Sequence, residues 1–385
     1  MKKIGVILGA ALSIMLLTGC AKLSSATSTV KNAAKGSSSS SGYQVTGKAA
    51  DSEYQGVIEN GKYLTSKARG VGISQNSDNL LNLKSFESGL TQISKTKYST
   101  SDYVFREGQL LSSTTVKNWL GRKSKSNSTG LNPVDNGQTD ADKRNPIYIQ
   151  QIEEQDYMKE VDGKLQLAGI TIGIGMNAKD YYQKEEYGAT YTTTISKKKM
   201  IAEGQQAAAK VLERLRKTSG VSENTPIIIA MFQQATNDSL VGGSFYQYTY
   251  VKSGSTINNW TSLNYKSYVF PETSVSSVPN DNDETSFESF KKQVQNFFPN
   301  LAGVTAQAEY KNKTLQGMNV NITTQFYSLT EITSFTQYLA QAAKTYLPSG
   351  IPIDITVKGT DGTVQSFLAR KADESSFYTH VFGSY

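Results

Sequence analysis

Residues 169–175 read GITIGIG, and residues 317–323 read GMNVNIT. Each alternates with a period of two, the signature of a strand. A Thr- or Ser-rich connector follows in both places, and then a helical pattern, at residues 196–217 (containing QAAAK) and at residues 329–346 (containing QAAK). Each helix meets a proline-led apolar strand, PIIIAMF at residues 226–232 and PIDITV at residues 352–357. A further strand pattern closes each set, at residues 245–251 and 363–369. Ahead of each set, SFES opens an amphipathic segment, at residues 85–88 with Phe86, Leu90 and Ile93, and at residues 286–289 with Phe287, Phe290 and Val294. The order helix, strand, helix, strand, strand thus occurs twice. It predicts two tandem related α+β units, with antiparallel or mixed sheets and helices on one face. Matching segments draw closer together along the chain, so the insertions lie in the first unit. Residues 122–144 are the clearest, a polar loop punctuated by Gly130, Leu131, Asn132 and Pro133.

Outward from these units the N-terminus changes character. Lys2 and Lys3 precede an apolar run, residues 4–17, that ends in Leu17, Thr18, Gly19 and Cys20. The run is short for a membrane span, which needs ~20 residues, and it matches a lipoprotein signal peptide. Cleavage between Gly19 and Cys20 is expected to remove residues 1–19 and leave Cys20 carrying lipid, with the membrane as its first partner. Residues 20–52 are rich in Ser, Thr, Ala, Gly and Lys and read as a flexible tether. The units are expected over residues 54–255 and 256–385.

The chain has 385 residues with one Cys and one His. No intramolecular disulfide and no Cys/His zinc site can be built from these, and no cofactor is expected. The formal charge of +7 is scattered, unlike the dense basic face that nucleic-acid binding requires. Charged residues make up 19%, below the ~25% usual for globular domains. Uncharged polar residues take their place, a composition common at cell surfaces.

Several stretches resemble the CamS family of sex pheromone lipoprotein precursors: residues 54–71 (YQGVIENGKYLTSKARGV), 105–122 (FREGQLLSSTTVKNWLGR), GLNP at 130–133 and 146–157 (PIYIQQIEEQDY). Residues 169–177, YYQKEEYG at 181–188 and residues 226–245 continue the match in family order. The resemblance implies a Gram-positive, membrane-anchored surface lipoprotein with two related repeats. In that family, signal-peptide fragments act as peptide pheromones in plasmid transfer. It lends no catalytic residue.

Other candidate sites follow from the residues themselves. Residues 173–178 fit GxGxxA after a strand, but no clean helix follows, so a glycine-bearing strand is expected instead of a dinucleotide site. Glu153, Glu154 and Asp156 offer carboxylates, yet neighbours on one element point apart, and a solvated helix face is expected. Lys62, Lys67 and Arg69 sit in a glycine-rich turn and are candidates for an anionic ligand, with Arg69 suited to a bidentate contact. A plain internal salt bridge or solvent-facing turn is the favoured expectation. Tyr181 and Tyr182, with Tyr187 and Tyr191, are candidates for stacking sugars or gripping a peptide, as are Tyr246, Tyr248 and Tyr250. Lys197, Lys198 and Lys199 open a helix, and His380 has no catalytic partner suggested by the sequence. The expectation is a non-enzymatic binding module, lipid-anchored on the outer face of the cell membrane, that contacts an envelope polymer, peptide or protein through a groove between its units. The alternative is a carboxylate-dependent hydrolase of envelope glycans.

Overall fold

The computed structural model describes residues 42–71, 79–272, 278–297, 303–325 and 327–383. Gly19, Cys20, the signal segment and most of the expected tether lie outside the described residues. Three short strands, β1 (Tyr43–Val45), β2 (Val57–Glu59) and β3 (Lys62–Tyr63), make a small antiparallel sheet. Regular pairing therefore begins inside the segment expected to be tether.

The first large sheet joins β4 (Val104–Glu107), β5 (Ile149–Val161), β6 (Lys164–Met176), β9 (Ile227–Gln233), β10 (Ser244–Val251) and β11 (Thr261–Ser262). Their order is β11-β10-β9-β6-β5-β4. The second contains β12 (Tyr265–Phe270), β13 (Gly303–Lys311), β14 (Thr314–Thr324), β15 (Ile353–Gly359), β16 (Val364–Arg370) and β17 (Tyr378–Val381), in chain order. Both sheets are mixed in the same way. A long antiparallel hairpin, β5–β6 or β13–β14, is followed by a crossover helix and a strand parallel to the hairpin's second arm, β6 with β9 and β14 with β15. A parallel neighbour requires such a crossover. The proline-led strands occupy the same position in the two sheets. Strand β11 carries the first sheet past the boundary expected at residue 255.

Helices α1 (Leu81–Lys95), α2 (Ser113–Leu120), α3 (Lys197–Arg216), α4 (Asp281–Phe297) and α5 (Leu329–Tyr346) clothe these sheets. In the second half, α4 and α5 share one face: Phe287, Phe290, Phe335 and Leu339 form one core with Ile353, Ile355 and Val357. In the first half, α2 and α3 cover the face presented by Ile227, Ile229 and Met231. Helix α1 covers the opposite face, where Phe86, Leu90 and Ile93 meet Ile228, Ala230 and Phe232. The expectation of helices on one face therefore fails for the first sheet. The SFES match fails as an equivalence for the same reason, since α1 and α4 lie on opposite faces of their sheets. Apolar spacing marks a helix's buried side without saying which side of a sheet receives it.

Glycines in β6 make room for α1. A Cβ on Gly173 would lie 2.5 Å from Phe86 Cζ, and one on Gly169 would lie 2.5 Å from the Tyr98 ring. Ile170, Ile172 and Ile174 point the other way, into the core with α3. The GxGxxA stretch is thus a close-packing strand, and the residues after it form the hairpin of β7 (Lys179–Gln183) and β8 (Thr190–Thr194). The polar loop at 122–144 is pinned by Asn132, which is buried. Its side chain donates to the carbonyls of Leu120 and Ile149 (2.7 and 2.9 Å) and accepts from the N–H groups of Tyr148 and Ile149 (2.8 and 2.9 Å). Every hydrogen-bonding position of that amide is filled.

Candidate functional site

Two concavities carry polar side chains. The larger, of about 680 Å³, runs between the halves. Helix α1 supplies one wall through Lys84, Ser88 and Gln92, and the outward residues of the second sheet supply the other, among them Tyr265, Gln307, Asn319 and Asp354. These face outward because β13, β14 and β15 alternate, burying Val304, Ala306, Val320, Ile353 and Ile355 toward α4 and α5. Burial raises the Asp354 carboxyl above its ordinary value, and Lys84 opposite pulls it back. The loop after β9 contributes Val241, Gly242 and Gly243 to the wall. Asn79 donates to the carbonyls of Thr236 and Ser239 (both 3.1 Å), Asn82 binds Ala235 and Gly243, and Gln307 reaches the Leu240 carbonyl at 2.6 Å.

The smaller cleft, of about 530 Å³, lies where β4 ends and leaves β5 uncovered. Glu87 enters it from α1, Glu107 from β4 and Glu153 from β5, with Arg69 from the turn before α1. Glu107 accepts from the Ser66 N–H at 2.6 Å and pairs with the exposed Arg69 guanidinium. Burial, then the Glu87 charge, pushes Glu153 up to about 8, while a hydrogen bond from Gln155 opposes the shift. Glu87 is raised as well, chiefly by burial, with Arg69 pulling it down. At neutral pH, Glu153 is therefore mainly the neutral acid.

Glu154 and Asp156 lie on the other face of β5, as alternation dictates. Glu154 accepts from the N–H groups of Leu110 (2.9 Å) and Leu111 (2.7 Å), and Asp156 accepts from Arg106 at 2.8 Å. Burial, then the neighbouring Asp156 charge, raises Glu154 to about 8, and Asp156 is itself raised by burial. The expected solvated helix face is in fact a strand, and Glu154 and Asp156 are buried in it. The residues 146–157 place polar side chains at both parities, which hides the strand period. Of the glutamates that line the cleft, the sequence signalled Glu153 and Glu154 but not Glu87 and Glu107, which come from elements distant in the chain.

The remaining candidates are dispersed. Arg69 lines the smaller cleft, and Lys67 lies beside it, donating from Nζ to the Gln109 carbonyl at 2.7 Å. Lys62 is exposed on β3, opposite Glu59. Tyr181 and Tyr182 sit on the β7–β8 hairpin and do not join the cleft. The Tyr181 hydroxyl accepts from the Asn237 N–H at 3.1 Å. Tyr182 donates to the Thr139 carbonyl at 2.9 Å under the Arg144 guanidinium, which lies 3.9 Å above its ring. Both tyrosines hold loops in place. His380 is exposed on β17. Among the described residues, no group of three His, Cys, Asp or Glu side chains is placed to hold a metal, and no helix is long and apolar enough to cross a membrane.

The profile of a protein family described as CamS sex pheromone cAM373 precursor matches residues 63–376. A crystal structure of a sex pheromone precursor from Lactobacillus salivarius subsp. salivarius UCC118 is 66% identical, covers 89% of this chain and 100% of its own, and superposes with a TM-score of 0.86. The C-terminal domain of the sex pheromone staph-cAM373 precursor from Staphylococcus aureus is 25% identical over 80% of this chain and 99% of its own, with a TM-score of 0.69. Among curated proteins no match was found.

Proposed function

We propose that this chain, which belongs to the CamS family of sex pheromone precursors, is anchored by lipid on Cys20 at the outer face of the cell membrane and there acts as a binding module. The groove between the two halves carries the binding reading. It is lined by amide, hydroxyl and charged side chains from both halves, and residues 241–243 of the loop that Asn79 and Asn82 hold form part of its wall. An extended envelope polymer, peptide or protein segment is the ligand such a shape admits. The common position of Ile227–Gln233 and Ile353–Gly359 supports the view that the halves arose by duplication.

Loss of the Cys20 thiol in Cys20→Ala is expected to yield an unlipidated precursor, read by intact mass and membrane fractionation. For the groove, Lys84→Glu combined with Asn319→Arg is expected to abolish retention of whichever envelope fraction the wild type retains. Equal retention by the variant overturns the reading. We further propose that removal of residues 1–19, followed by a second, intramembrane cut within that fragment, supplies a short apolar peptide from residues 12–19 (LSIMLLTG). A receptor pocket that buries each Leu or Ile would gain about 1.5–3 kcal/mol per side chain. Mass spectrometry of culture medium, with synthetic peptide added to responder cells, decides whether that fragment exists and acts.

The second reading is a carboxylate-dependent glycan hydrolase, and one observation favours it. Glutamates from three elements, Glu87, Glu107 and Glu153, line one cleft, and Glu153 is displaced toward the neutral acid that a glycosidic leaving group needs. Release of reducing ends from envelope glycan by the wild type but not by Glu153→Gln would establish it. No release at any pH from 5 to 9 would remove it.

A further inference from the structure

Asp156 is fully buried, and its two carboxylate oxygens are treated very differently. Oδ2 accepts from Arg106 Nη2 at 2.8 Å, from Arg106 Nε at 3.2 Å and from the Gln109 N–H at 3.3 Å. Oδ1 has no donor among the described residues. A buried oxygen of this kind costs free energy comparable to a lost hydrogen bond. The side chain two positions along the same strand face is Glu154, whose oxygens accept from the N–H groups of Leu110 and Leu111. Two ionised carboxylates side by side in a buried place, with the arginine engaged by Asp156 alone, repel strongly. A single proton cures both faults, giving Oδ1 its hydrogen bond and removing one negative charge.

We infer that Glu154 and Asp156 hold one proton between them, and that this proton fastens the strap of residues 108–111 to the edge of the first sheet. The strap leads from β4 to α2, and the two carboxyl groups bind three of its N–H groups, those of Gln109, Leu110 and Leu111. The Gly108 N–H donates to the Glu154 carbonyl at 3.1 Å. A Cβ on Gly108 would lie 2.5 Å from Glu154 Cβ, so the strap lies directly on the pair. Loss of the shared proton leaves two charges facing each other beneath it. The alkaline displacement of Glu154 agrees with this arrangement.

The charged surroundings are few. Arg106 reaches Asp156 and, at 3.7 Å, Glu59 of β2. Glu107 is occupied by Arg69 and Ser66, and Lys67 holds the Gln109 carbonyl. Glu153 points to the opposite face. Strand β6 faces the pair with Ile170 and Ile172, and Lys117 on α2 is exposed.

Hydrogen exchange at Gln109, Leu110 and Leu111 in the full chain tests the latch. After correction for intrinsic exchange, wild-type protection is expected to fall about tenfold or more between pH 6.5 and 9.5, as local opening becomes easier. Asp156→Asn supplies a permanent hydrogen toward Glu154, and its protection is expected to stay level. Glu154→Gln does the same toward Asp156 at the loss of one strap hydrogen bond, and serves if the first variant fails to fold. Infrared spectra in a Glu153→Gln background give an independent reading. A protonated-carboxyl band is expected at pH 7 and should vanish when Asp156→Asn is added. Protection that does not change with pH, or no such band at pH 7, overturns the shared proton.

Discussion

Strands Ile227–Gln233 and Ile353–Gly359 hold the same place in two sheets of matching connection, yet one is buried along six consecutive residues and the other alternates between buried and open positions. The difference lies in α1, which covers the second face of the first sheet, while α4 and α5 both stack on a single face of the second. A strand covered on both faces must be apolar throughout, and one covered on a single face need be so only at every other position. The apolar run IIIAMF and the mixed run IDITV express that contrast directly. The uncovered face of the second sheet is also what allows the groove. Helix α1 lies on its own sheet and turns its polar side toward the outward residues of the other, so one helix closes a core and walls a binding surface.

The sharpest way to break the comparison is to exchange the second residue of each strand. Ile228→Asp places a carboxylate between β9 and α1, where nothing can pair with it, and is expected to cost about 4 kcal/mol or more, enough to unfold the first half. Asp354→Ile, on the open face, is expected to change stability by less than about 1 kcal/mol. Urea unfolding of both variants measures the two numbers. Similar losses would mean that the faces are not covered differently.

Next in size is Gly173→Ala. The added methyl must displace the Phe86 ring, a rigid group fixed between Phe232 and Phe245. Overpacking of this kind costs roughly 1–3 kcal/mol. In the second half Asn321 stands at the Gly173 position, and the glycine that hairpin does carry, Gly317, matches Gly169 and is loosely surrounded. A Cβ on Gly317 meets nothing nearer than Pro352 at 3.4 Å, so Gly317→Ala is expected to be nearly neutral. A thermal melt that lowers Tm for the first variant and leaves the second unchanged supports the contrast.

Much of this architecture was legible before any coordinates. The second arms of the two long hairpins, the crossover helices and the proline-led strands announce themselves, because a period of two and a period of 3.6 survive where one face is buried. What stayed hidden involved contacts across the chain. PIYIQQIEEQDY carries a strand, but Gln151, Glu154 and Asp156 are buried by partners such as Gln234, Leu110 and Arg106, and no local pattern names those partners. Glu87 carries no local signal of its own, and only the packing of α1 beside β4 and β5 makes it a wall of the acidic cleft. Tyr181 and Tyr182 read from sequence as ligand platforms or as cross-strand pairs on an exposed sheet face, and neither pattern shows that they anchor loops. The Asn237 N–H and the Thr139 carbonyl decide for anchoring, and both lie more than forty residues away.

The acidic cleft belongs to the half that α1 covers, so its titration should be a property of that half. Glu153 has a folded value of about 8 against an ordinary value of 4.5. A raised carboxyl binds its proton more tightly in the folded state than in the unfolded one, so its stabilising contribution is complete below pH 4.5 and is lost as pH climbs through 8. Glu153→Gln removes this contribution to the slope and is expected to make the variant more stable than wild type at pH 8.5 by about 1–2 kcal/mol. Denaturant midpoints across pH 5–9 give the comparison, and parallel curves for the two proteins would refute it.

The smallest expected effect concerns Arg69, whose guanidinium is largely exposed where it meets Glu107. Exposed pairs contribute at most about 1 kcal/mol, so Arg69→Ala should barely move the urea midpoint at pH 6. Its electrostatic effect is more distinctive. Arg69 is the cation that lowers both Glu87 and Glu153. Without it, each carboxyl holds its proton to a higher pH, so the fall in stability, which starts near the unfolded value in either protein, runs on to a higher pH before it levels off. A small loss at pH 6 together with an upward shift of the alkaline transition would mark Arg69 as the charge that sets the ionisation of the cleft. An unshifted transition would reduce it to a surface ion pair, and the cleft's acidity would then rest on burial and the mutual repulsion of its three glutamates.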